Sequence, residues 1–337
     1  MLVWIVYVIL VSIALSLAAF MLERTALLRR MPTRWVWTVS ILACLLLPII
    51  ISSVSLPLPS ILQHNLTAPP SQSLPLRQMT STELSPAIWL NDMIGTAGTS
   101  ADTGNLLQHV WFMISAALLL VLVAGMTQLH IRKRSWMRGM MCDAPVYIAE
   151  DVGPAIVGLF RPRIVVPRWL TSCPPEDQEL VILHETSHLK ARDAQLLAFA
   201  LFLIATMPWN FPLWWQLKRL RRAIEVDCDA RVLQRGQDIS RYGNVLISIG
   251  ARQSRNIGVA AAMSESGSFL EHRIHHMLRT PRSMISLSVM TATCFAFCFA
   301  LLAAEIRPPD AIFADTKAII FRSLSFQSMV IRSSGSP

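Results

Sequence analysis

The sequence predicts a mostly α-helical integral membrane protein that carries a polar α+β domain between its apolar segments. Three observations lead there. With 53% hydrophobic residues, 15% charged residues and a mean hydropathy of +0.47, the chain is too apolar for an ordinary soluble protein. Its apolar residues gather into four runs of about 20 residues, the length that crosses a bilayer as a helix. The polar stretch 130–282 holds an H-E-x-x-H motif at His184, Glu185, Thr186, Ser187 and His188.

The chain opens on Leu2–Leu22, a charge-free run. A cleaved signal peptide is a poorer reading, because no basic segment precedes the run and it exceeds the usual apolar length. Glu23–Arg34 follows with Arg24, Arg29, Arg30 and Arg34 against a single acid. Trp35–Val54 forms the second span, and Pro48 within it is tolerable where neighbouring helices supply partners. Residues 1–55 thus form a pair of spans with a short basic loop. Residues 56–108 are rich in Pro, Ser and Thr, with Arg77, Glu83, Asp92 and Asp102 as their charges. Residues 109–129 hold the third span, Val110–Leu129, and Arg132, Lys133, Arg134 and Arg138 follow at once. Residues 130–282 are the polar domain, 283–304 the fourth span (Met284–Ala304) and 305–337 a short tail.

Cytoplasmic flanks of membrane helices collect Lys and Arg. Both Arg-rich segments therefore belong on the cytoplasmic side of the cell's inner membrane. The N-terminus, the 56–108 loop and the 305–337 tail then lie outside, and the domain with H-E-x-x-H lies in the cytoplasm. The net charge of +9 is read as this asymmetry: the expected contact is membrane lipid, with no direct binding of nucleic acid. The six cysteines show no C-x-x-C spacing, so neither a disulfide framework nor a cysteine-based metal site is expected.

Within the polar domain, Pro145–Ala149, Ala155–Gly158 and Ile164–Val166 are short apolar, largely β-branched runs separated by turn residues and closed by Pro167. They predict a hairpin or small sheet. Such a sheet either offers an edge to an extended substrate or simply supports the next helix. Pro174, Pro175, Glu176 and Asp177 carry helix-start signals, so a helix is expected from Pro175 through His188 to about Arg192. Positions four apart share a helix face, which lets His184 and His188 direct two imidazoles at one zinc ion. Adjacent positions diverge by about 100°, so Glu185 does not join them as a ligand but suits a general base. Zinc lowers the pKa of a bound water to roughly 7, and the carboxylate takes its proton as it attacks a carbonyl. The plain alternative is a helix with two surface histidines around an acid. Ser187, His188, Leu189 and Lys190 also match S-x-x-K, but no K-T-G follows and the match is taken as coincidence.

Leu196–Met207 is an apolar run too short for a comfortable span, followed by Pro208, Trp209, Asn210, Phe211, Pro212, Leu213, Trp214 and Trp215. The tryptophans favour a segment at a membrane surface over a buried helical hairpin. Leu217–Leu233 is helical in pattern. In it Glu225 and Asp229 share a face, while Asp227 points elsewhere. Glu225 can close a His₂Glu zinc site, and Asp229 can accept the second N–H of a ligating histidine and hold its tautomer. A solvated charged helix is the alternative for this stretch.

Three sets of residues carry a family resemblance. The first is His184-Glu185-Thr186-Ser187-His188 with Arg192-Asp193, the second Asn210-Phe211-Pro212-Leu213-Trp214-Trp215, and the third Glu225-Val226-Asp227-Cys228-Asp229. Together they resemble the BlaR/MecR-type membrane zinc metallopeptidases, signal-transducing antirepressors. Pro154 and Gly158, then Pro162-Arg163-Ile164-Val165-Val166-Pro167, are similar to the strand region before that family's zinc helix. The resemblance spans Leu2 to Ala304. It implies a zincin-like (gluzincin) cytoplasmic domain in which His184, His188 and Glu225 bind zinc and Glu185 is the general base. It also implies an endopeptidase that answers an extracytoplasmic signal by self-cleavage and by cleaving or inactivating a DNA-binding repressor. The sensors of this family end in a penicillin-binding domain. Here residues 305–337 follow the fourth span, without an S-D-N or K-T-G series, so that sensor domain and direct β-lactam acylation are not expected. A Glu-x-x-Ala-Asp ending also occurs in HtpX-type membrane proteases, which keeps a general quality-control or processing protease as the second reading.

Overall fold

The computed structural model describes residues 2–29, 31–53, 101–150, 152–255, 267–278 and 285–305. Most of the expected outer loop, residues 56–100, and residues 306–337 of the expected tail lie outside them. The four apolar runs are helices: α1 (Leu2–Leu28), α2 (Arg34–Ser53), α3 (Ala101–Arg132) and α9 (Ile285–Glu305). Among the described residues, two helices are long and apolar enough to cross a membrane, over Trp4–Leu28 and Gly104–Ser135. The apolar parts of α2 and α9 are shorter, Arg34–Ile50 and Val289–Leu301. Helix α1 outruns the expected Leu22 because Glu23 finds a partner without leaving the helix. Its carboxylate pairs with Arg219 and is buried.

Helix α9 packs along α1. It buries Val289, Ala292, Ala296 and Ala303, a stripe at helical spacing whose mostly small side chains let two backbones approach. Helix α3 is largely exposed and leans on α5 (Asp193–Thr206), where the Trp111 indole donates to the Thr206 carbonyl at 2.8 Å.

The polar domain opens with a four-stranded sheet of β1 (Met137–Met141), β2 (Ala144–Ala149), β3 (Ala155–Val157) and β4 (Arg163–Pro167). The order is β1-β2-β4-β3, with β2 and β4 parallel and both outer pairs antiparallel. The expected hairpin is the β3–β4 pair. At its turn Gly158 has φ +105°, and a Cβ there would come within 2.9 Å of the Arg161 carbonyl oxygen, so the turn requires glycine. Strand β1 pairs through a tight turn in which Cys142 and Asp143 have φ of 47° and 59°, the positive-φ pair of a type I′ hairpin.

Helix α4 (Pro175–Ala191) starts with Pro at its first turn and with Glu176 and Asp177 near its positive end. It packs on β3 and β4. Arg192 then adopts a left-handed conformation, φ 57°, and breaks the chain into α5. Helices α5 and α6 (Phe211–Leu233) form a helical hairpin. Ala200, Leu203 and Ile204 of α5 are buried, while Phe199 and Phe202 are exposed. Helix α7 (Ile239–Arg255) packs on α4, and α8 (Gly267–Leu278) on α6 and α7, completing the domain.

Helix α6 runs through two cores. Its first half contributes Leu213, Leu217, Leu220 and Ile224 to an apolar cluster with Val8, Val11, Trp37, Ile41 and Ile204. Its second half contributes Cys228 and Val232 to a cluster with Val146, Ile164, Val181, Tyr242 and Val245. Two buried polar pairs lie beside the first core: the Gln216 amide donates to Ser16 at 2.7 Å and the Asn210 amide to Ser12 at 2.8 Å. Such pairs fix the register of packed apolar helices. Glu225 lies where the two cores meet.

Candidate metal centre

His184 and His188 sit one turn apart on the buried face of α4. Each is 9% exposed, and their Nε2 atoms are 3.2 Å apart. The Glu225 carboxylate from α6 closes the triangle. Its Oε2 is 3.6 Å from His184 Nε2 and its Oε1 is 3.6 Å from His188 Nε2. Donors held about 2.0–2.1 Å from a tetrahedral zinc lie about 3.3 Å apart, and three protein donors are what a catalytic zinc takes. Two imidazoles and one carboxylate at this spacing therefore fit a zinc ion.

The far nitrogen of each ring is committed. His188 Nδ1 lies 2.8 Å from Asp193 Oδ2. An ionised carboxylate only accepts, so Nδ1 carries the proton and Nε2 is left with its lone pair. His184 Nδ1 lies 2.7 Å from the Tyr242 hydroxyl, which donates to Asp229 Oδ1 at 2.7 Å. The hydroxyl hydrogen is thus used on Asp229, and His184 Nδ1–H donates to the phenolic oxygen, again freeing Nε2. Arg273 of α8 holds Asp229 with two further bonds, Nε to Oδ2 at 2.9 Å and Nη2 to Oδ1 at 2.7 Å. Its Nη1 also reaches Glu225 Oε2 at 3.1 Å.

The charges are arranged accordingly. Burial works against ionisation of Glu225, but Arg273 and the two imidazoles outweigh it and hold the carboxyl well below the usual range. Glu185 is 7% exposed, and burial pushes its carboxyl up, with His184 and His188 pulling the other way. A carboxylate with a raised proton affinity beside a donor cluster suits a general base.

All five residues anticipated from the sequence come together here. Asp229 does so by a longer path than expected: it is 3.8 Å from His184 Nδ1 and acts through Tyr242. Asp227 points away, accepting from Thr33 and Arg34 at the start of α2. The sequence reading assigned no role to Asp193, Tyr242 and Arg273, which no periodicity ties to the histidines. It also set the cysteines aside, yet Cys228 lies in the centre. Its sulfur is 3.4 Å from His184 Nδ1 and 3.5 Å from the His184 carbonyl oxygen. His184, His188 and Cys228 thus form a second possible donor group. The glutamate set matches better. Its oxygens face the freed Nε2 atoms, whereas Cys228 lies at the His184 Nδ1 already engaged by Tyr242. The position of Cys228, one turn past Glu225, was the available sequence signal.

The profile of the family described as BlaR1 peptidase M56 matches residues 3–277. The regulatory protein BlaR1 of Bacillus licheniformis is 29% identical over 119 residues, which cover 34% of this chain and 20% of that protein.

Proposed function

This chain belongs to the BlaR1 peptidase M56 family, and on that premise we propose that it is a membrane-embedded zinc endopeptidase that transduces an extracytoplasmic signal. The observation that carries the reading is the triangle of His184 Nε2, His188 Nε2 and the Glu225 carboxylate, with Glu185 buried beside it. His184, His188 and Glu225 would hold the zinc. When bound, zinc polarises the scissile carbonyl and makes water a competent nucleophile at neutral pH. Glu185 takes the proton of the attacking water and passes it to the leaving amine. Asp193 and Tyr242 keep the two imidazoles in the tautomer that exposes Nε2, and Arg273 offsets the negative charge of Glu225 and Asp229.

In the same reading the four apolar helices cross the inner membrane and residues 130–282 face the cytoplasm, in accord with the basic residues that flank α1 and α3. A signal received outside leads to self-cleavage and to cleavage or inactivation of a DNA-binding repressor. Family membership speaks for this over a general HtpX-type protease. The test is expression of the full chain with and without Glu185→Gln, followed by mass spectrometry. Self-cleavage products should appear only in the unmodified chain, and identical fragment patterns would defeat the reading.

A further inference from the structure

Asp193 is shared. Its Oδ2 receives His188 Nδ1 at 2.8 Å and Arg231 Nη2 at 3.1 Å, and its Oδ1 receives Arg34 Nη1 at 2.7 Å. The carboxylate is 3% exposed, so these partners, rather than water, set its position. Arg231 belongs to α6 and moves with Glu225. Arg34 does not: it is the first residue of α2, 159 positions away in sequence.

The start of α2 is held by a second clamp. Asp227 accepts from the Thr33 amide, the Thr33 hydroxyl and the Arg34 amide, each at 3.0 Å. Two of the amides at that helix end are therefore satisfied by a residue two positions from Glu225 on α6. Helix α2 is tied to α6 through Asp227 and to the α4–α5 junction through Asp193. These are the two places that carry Glu225 and His188. The remaining length of α2 is apolar and packs on α1, α5 and α6.

We propose that Arg34 is a positioning residue of the metal centre, holding His188 through Asp193 so that the placement of α2 sets the geometry of a ligand. A displacement of α2 relative to α6 would pull on Asp193 Oδ1 and turn the His188 ring about its Nδ1 contact. The inference rests on the reading of His188 as a metal ligand given above. It makes the start of an apolar helix a working part of the site, and gives a physical path by which a change at the membrane reaches the metal.

Cobalt(II) is the probe, because its visible absorption reports the geometry of its ligands. The full chain in lipid nanodiscs is titrated with cobalt(II) alongside Arg34→Ala, Arg34→Lys and Arg34→Gln. Loss of a group that orients a ligating histidine typically weakens metal binding 10–100-fold. Arg34 acts one step further out and Arg231 stays on Asp193, so Arg34→Ala should weaken cobalt about 10-fold, the low end of that range, and shift the visible band. Arg34→Lys keeps a charge against Asp193 and should fall between Arg34→Ala and the unmodified chain. A merely structural ion pair would lower the unfolding temperature and leave the band where it was. Should Arg34→Ala fail to accumulate, Arg34→Gln, which keeps the bulk and a donor, is read by the same criteria. Equal affinity and an unshifted band in Arg34→Ala or Arg34→Gln would overturn the inference and leave the metal site standing. Absence of cobalt binding by the unmodified chain would overturn the metal-site reading and this inference with it.

Discussion

Asp193 accepts the Nδ1 proton of His188 at 2.8 Å, although a helix end lies between them. The break at Arg192, φ 57°, reverses the chain tightly enough to bring the first residue of α5 back onto the last histidine of α4. A left-handed non-glycine residue costs on the order of 1–2 kcal/mol. Here the strain sits directly beside the ring whose orientation it secures.

Removal of that acceptor should be felt by the metal. Asp193→Ala is expected to weaken zinc binding roughly 10–100-fold, measured by competition against a chelating dye. Undiminished affinity would mean that His188 is oriented by other contacts.

Tyr242→Phe removes the hydroxyl between His184 and Asp229 while keeping the ring in its core. The Asp229–Arg273 pair should survive, and His184 should lose its tautomer control. Zinc affinity should fall by about tenfold, the low end for such partners, with stability falling by about 1 kcal/mol for each of the two buried bonds lost. If Asp229→Asn lowers affinity and Tyr242→Phe does not, the acid acts on His184 directly and not through the tyrosine.

Glu185→Gln separates chemistry from binding. The amide keeps the size of the side chain but takes no proton, so zinc content should be unchanged while self-cleavage slows by roughly 10²–10⁴-fold. Glu225→Gln should instead lower zinc content. Paired metal analysis and cleavage assays on the two variants check this, and equal zinc loss in both would place Glu185 among the ligands.

The proposed orientation predicts that reporter fusions after Gln72 report an extracytoplasmic site and fusions after Gln253 a cytoplasmic one. An extracytoplasmic signal at Gln253 would invert the topology and remove a cytoplasmic repressor as substrate.

Much of the centre was legible because it is local. His184 and His188 are one turn apart, and Glu225 and Asp229 one turn apart, so helical periodicity alone groups each pair. Strands β2, β3 and β4 announce themselves through Val and Ile runs. Strand β1 does not: Met137-Arg138-Gly139-Met140-Met141 lacks β-branched residues, and Cys142-Asp143 is not the usual residue pair for its turn. The groups that orient the histidines were silent for a different reason. Tyr242 and Arg273 come from α7 and α8, and Arg34 from α2, and nothing in a single sequence pairs residues across such separations. Cys228 was set aside on spacing rules that describe sites built from cysteines alone, which do not cover a thiol packed behind a histidine.

The ligand set itself is tested most directly by X-ray absorption at the zinc edge on the zinc-loaded full chain. Zinc–nitrogen and zinc–oxygen distances are about 2.0–2.2 Å and zinc–sulfur about 2.3 Å, so the two donor sets are distinguishable. With His184, His188 and Glu225 as ligands, the first shell should contain only nitrogen and oxygen and should be unaltered in Cys228→Ser. A sulfur scatterer that disappears in Cys228→Ser would contradict the account.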